Sequence, residues 1–66
     1  MRITVNGEAR DVPEGTSVLG LVEILGVPRQ ATAIEVNRTL VPRSLQAAHA
    51  LAEGDAVEIV TLVGGG

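Results

Sequence analysis

Sixty-six residues, a net charge of −3 and neither cysteine nor any aromatic side chain describe one small domain with an aliphatic core, too short to hold both a core and an enclosed cavity of ordinary active-site size. An independent enzyme is therefore not expected, and a nucleic-acid binder is disfavoured by a charge of the wrong sign for phosphate and by the lack of rings on which bases stack. Without cysteine there is no disulfide or thiolate chemistry, the lone His49 cannot build a metal site, and no apolar run is long enough to cross a bilayer; no secretory signal pattern opens the chain, so the cytoplasm is the expected location.

Arg2 to Val5 alternate polar and apolar, the period of a half-buried strand. Asn6-Gly7 follows, a pair that accepts the positive φ angles of a type I′ hairpin turn, so Glu8 to Val12 is expected to return as a second strand. Pro13-Glu14-Gly15 ends it.

Thr16 or Ser17 offers a hydroxyl to cap a helix, and Val18, Leu21, Val22 and Leu25 fall on one face at helical spacing. Gly26 sits where a left-handed C-terminal residue is wanted, and Pro28 blocks continuation. Gly20 inside the helix is unfavourable, and a close approach of helix to sheet is the expected reason.

Ala31 to Asn37 reads as a strand with Thr32, Ile34 and Val36 on one face and Ala33 and Glu35 on the other. Thr39 to Val41 is a short strand stopped by Pro42, which suits an edge. Ser44 to Leu51 reads as a loop with a turn of helix, Glu53-Gly54-Asp55 as a turn, and Ala56 to Leu62 as the last strand, with Val57 and Ile59 inward. The expected class is α+β, with one main helix over a mixed sheet of about five strands. Parallel pairing of the first and last strands would make it a β-grasp, the ubiquitin-like layout, over residues 1–63.

Residues 64–66 are expected to form a flexible glycine tail. Gly64, Gly65 and Gly66 carry no side chain, and extended they reach about 10 Å, enough to thread a narrow channel and place a terminal carboxylate in a partner's site. Once converted to an acyl-adenylate, that carboxylate becomes an electrophile that a sulfur nucleophile can attack, and no catalytic residue of this chain is needed. Glycines at an end are otherwise frayed or incidental, but these directly follow a strand with no spacer.

The chain resembles ThiS-type sulfur carrier proteins of thiazole formation in thiamine biosynthesis nearly end to end. The resemblance rests on Ile3-x-Val5-Asn6-Gly7, the helix Val18 to Leu25, Ala33-x-x-Val36-Asn37 with Val41-Pro42-Arg43, Gly54-Asp55-x-Val57-Glu58-Ile59, and Val63 with the final glycines. It implies that Gly66 is adenylated by an E1-like enzyme of the ThiF type, converted to a thiocarboxylate and used by a ThiG-type thiazole synthase. The chain would then be a protein co-substrate, with no cofactor or metal of its own. Gln46 stands where the family often has an aromatic residue, which bears on local packing, and Glu53 where it often has aspartate.

Val60 and Leu62, outward on the last strand and flanked by Ala33, form with Val63 and Glu58 a candidate docking surface; Leu62 and Val63 completing the core is the competing reading. Glu35, Asp55 and Glu58 suit a basic partner surface or simple solvation, and Asp55 can serve only to shape its turn. Arg38, Arg43 and His49 read as bystanders. A small-subunit-like carrier of molybdopterin synthase, a ubiquitin-like modifier and an inert interaction module remain open alternatives.

Overall fold

The computed structural model describes residues 1–61. The first strand, β1 (Arg2–Val5), runs antiparallel to β2 (Glu8–Asp11) through the expected turn, where Asn6 and Gly7 take φ of 50° and 85°. The ladder continues past the strand ends: the Val12 amide donates to the Met1 carbonyl at 2.9 Å, and the Met1 ammonium donates to the Val12 carbonyl at 2.7 Å. Every residue of β2 is exposed, so burial resumes only at Val12, which lies just beyond the strand and inside the core.

Helix α1 (Val18–Leu25) has the predicted bounds because its signals are local. The Ser17 hydroxyl accepts from the Gly20 amide at 3.0 Å, while the Thr16 hydroxyl donates instead to the Pro13 carbonyl and shapes the approach. Gly26 is left-handed at φ 69°, and its amide donates to the Val22 and Glu23 carbonyls. Val18, Leu21 and Val22 are buried against the sheet residues Ile3, Ile34 and Val57 in one cluster. Gly20 does not mark a close approach to the sheet. A β-carbon there would stand 3.4 Å from Ser17 Oγ and 3.5 Å from Thr16 Cγ2, with no sheet atom within 4 Å.

After a 3-10 turn at Arg29–Ala31, β3 (Thr32–Val36) buries Thr32, Ile34 and Val36 as its alternation requires. It turns through Asn37 and Arg38, both at positive φ, into the two-residue β4 (Thr39–Leu40). The short helix α2 (Arg43–Gln46) leads by a loop to β5 (Ala56–Thr61). That loop is tied to the start of α1 at two points, where Val18 donates to the His49 carbonyl and Leu51 to the Thr16 carbonyl, both at 2.9 Å.

Sheet order is β2-β1-β5-β3-β4, with β1 and β5 parallel and the other pairs antiparallel. This is the β-grasp arrangement. The final strand lies at the centre, helix α1 covers one face, and the other face is left open.

Candidate functional site: the root of the tail

β5 delivers the chain to its tail, so what holds β5 determines where the tail starts. Its outward residues are exposed: Glu58, and Val60 at 52% exposure. Inward, Val57 is buried and Ile59 half-buried against the core, as their alternation predicts. Thr61 pairs with Thr32 of β3. Residues 62–66 lie outside the described residues, and with them the readings of Leu62, Val63, Gly64, Gly65 and Gly66.

On the open face, Val60 stands opposite Ala33, and Glu58 stands opposite Glu35. Neither carboxylate has an ion-pair partner among the described residues. A shallow groove beside them is lined by Thr4, Gly7, Ala56, Glu58 and Val60, among others. Leu40, on the same face across from Glu35, is 58% exposed. The open face thus joins apolar patches to an unneutralised acidic pair.

Two asparagine side chains grip the backbone of β5, a feature that chain-order reading misses. Asn6 Oδ1 accepts from the Ile59 amide at 2.8 Å, and its Nδ2 donates to the Ile59 carbonyl at 3.2 Å. Asn37 Oδ1 accepts from the Ala56 amide at 3.0 Å, and its Nδ2 donates to Asp55 Oδ1 at 3.0 Å. Asp55 Oδ2 also accepts from the Ala52 amide at 2.8 Å, so this carboxylate is spent on shaping its turn. The available signal was the recurrence of asparagine as the first residue of each hairpin turn.

Other candidates are dispersed. Arg38 is an exposed turn residue. Arg43 opens α2, where its carbonyl accepts from Arg29 Nη2 at 3.2 Å. Half-buried His49 contributes through its backbone carbonyl. Among the described residues no cluster of histidine, aspartate and glutamate could hold a metal, and no helix is long and apolar enough to cross a membrane. Gln46 is a buried polar side chain: it is 2% exposed, its Nε2 reaches the Val41 carbonyl only at 3.4 Å, and its Oε1 has no partner among the described residues. At the far edge Arg2 and Asp11 pair at 3.1 Å, and this hydrogen bond, reinforced by the guanidinium charge, lowers the Asp11 pKa below its ordinary value.

A sequence model of the ThiS family matches residues 3–66. The chain belongs to that family. It is 30% identical to the sulfur carrier protein ThiS of Escherichia coli K12 over the full length of both. A crystal structure of the thiamine biosynthesis protein ThiS from Geobacter metallireducens superimposes with a TM-score of 0.87, at 33% identity, covering all of both chains. The chain is also 39% identical to part of a thiazole synthase of Paramagnetospirillum magneticum, spanning all of this chain but only 20% of that protein's length.

Proposed function

We propose that the chain is the sulfur carrier for thiazole formation in thiamine biosynthesis, and that the Gly66 carboxylate is its working group. The observation that carries this is the full-length match to a sulfur carrier protein ThiS, joined to a β-grasp fold with the tail-bearing strand at its centre. An E1-like, ThiF-type enzyme attacks ATP with the carboxylate, forming the acyl-adenylate and releasing pyrophosphate. A sulfur nucleophile then displaces AMP, and the thiocarboxylate of Gly66 gives its sulfur to a ThiG-type thiazole synthase. The chain itself supplies a sterically bare acyl carbon and a docking surface.

Val60 and Glu58, with Leu62 and Val63 beyond them, are the proposed contacts, and Gly64 and Gly65 the arm. A thiazole synthase that contains a stretch similar to this whole chain supports the second partnership, since sharing one polypeptide raises the effective concentration of carrier and synthase. The test is a 66-residue chain with one untrimmable residue appended after Gly66. Docking and fold are expected to survive while sulfur transfer stops; full sulfur transfer would contradict the proposal.

A further inference from the structure

Resting on the sulfur-carrier proposal, we infer that Asn6 is a positioning residue for the tail: its side-chain amide fixes the point on β5 from which the reactive arm extends. The parallel ladder between β1 and β5 runs through Thr4, whose amide donates to the Asp55 carbonyl at 3.0 Å, and Asn6, whose amide donates to the Val57 carbonyl at 2.9 Å. In a parallel ladder the next two rungs would be made by the Asn6 carbonyl to the Ile59 amide, and by the amide of residue 8 to the Ile59 carbonyl. The turn at Asn6-Gly7 carries the main chain away into β2 before those rungs can form. The Asn6 side chain makes both in their place, one as acceptor and one as donor. It lengthens β1 by a rung without lengthening the strand.

That rung is the furthest along β5 on the β1 side among the described residues. Beyond it, Thr61 is held from the β3 side by its pairing with Thr32. Seven residues follow Ile59, a reach of about 23 Å when extended. Fixing Ile59 sets the origin from which those residues must carry the acyl carbon into an adenylation site. Asn37 forms a matched comparison: it grips β5 at Ala56, three residues before Ile59, from the other hairpin turn.

Asn6→Gly removes the amide while leaving a residue that accepts positive φ, so the turn is kept. Amide exchange at Ile59 should rise about tenfold, while the Ala56 amide, held by Asn37, serves as the internal reference and stays unchanged. With the activating enzyme, ATP and a sulfur source, kcat for tail activation should fall about tenfold while KM changes much less, because fewer bound chains present the tail correctly whereas Glu58 and Val60, the proposed contacts, are unaltered in a groove that Asn6 also lines. Asn37→Gly removes a comparable grip on β5 far from the tail and should leave kcat alone. Unchanged exchange at Ile59 in Asn6→Gly would overturn the inference. So would faster exchange with unaltered kcat, or an equal loss of kcat in Asn37→Gly, since either makes Asn6 a general brace. Exchange is measured without any enzyme, so a failure of the unaltered chain to be activated would count against the sulfur-carrier proposal alone.

Discussion

Glu35 and Glu58 face each other directly across the antiparallel pair β3 and β5, on the face of the sheet that no helix covers. Like charges so placed repel, and such an arrangement is tolerated where something else benefits from it. Under the proposed function, that benefit is a negative site beside Val60 for a basic group of the partner.

Glu58→Gln removes the repulsion without changing side-chain size. Stability should rise by about 0.3 kcal/mol in denaturant titration, while affinity for the activating enzyme falls about fivefold. Equal or tighter binding would show that the acidic pair is not part of the docking surface.

Gly20→Ala should stabilise the fold. The space beside Gly20 admits a β-carbon at ordinary contact distance from Ser17 and Thr16, and alanine is better than glycine inside a helix by up to about 1 kcal/mol. The denaturant midpoint is expected to move up with an unchanged slope. A lower midpoint would mean that the Ser17 cap cannot accommodate the methyl group.

Arg38 holds a φ of 69° in the second position of its hairpin turn, where glycine is the natural occupant. Arg38→Gly relieves the strain of a side chain in the left-handed region, offset in part by the greater freedom of glycine when unfolded. A net gain of about 0.5 kcal/mol is expected, read as a raised thermal midpoint, with the Asn37 bonds to Ala56 and Asp55 preserved.

Asp11 introduces an acid dependence. Its carboxylate accepts from Arg2 Nε at 3.1 Å and Arg2 Nη2 at 3.2 Å, and this pairing lowers its pKa on folding. The unfolded chain therefore binds the proton more readily, so the contribution is complete above the unfolded pKa and disappears as pH falls through the folded one. Asp11→Asn should flatten the decline of stability with acidification in that window by giving up a small contribution at neutral pH, small because the pair is solvent-exposed, and should leave stability below the window unchanged. An identical acid profile in the variant would contradict the assignment.

What the sequence made legible was local. Val18 to Leu25 could be bounded to the residue because the apolar stripe, the Ser17 cap and Gly26 all lie within one short stretch, and Asn6-Gly7 carries its turn in two residues. Val12 and Val41 lie one residue beyond the strands to which alternation assigns them, though each still bonds to the neighbouring strand, Val12 to Met1 and Val41 to Ile34; Ala31 and Asn37 belong instead to the turns that flank β3. Relationships across the fold were hidden. Asn6 and Ile59 are 53 positions apart, and only the parallel pairing of the first and last strands brings them together. The opposition of Glu35 and Glu58 depends likewise on register. Gly20 misled because its penalty is visible in the sequence while its neighbours in the fold, Ser17 and Thr16 and no sheet residue, are not. For the site, the outward placement of Val60 and Glu58 followed from alternation alone, whereas the asparagine grips on β5 needed the assembled sheet.

The central claim is that the Gly66 carboxylate is the group on which partner enzymes act, and intact-mass measurement tests it most directly. After incubation with the activating enzyme, ATP and a sulfur source, the chain should gain the mass difference of one sulfur replacing one oxygen, confined to the C-terminal fragment. A mass that stays constant while the same preparation loads another carrier, or a change elsewhere in the chain, would contradict the account.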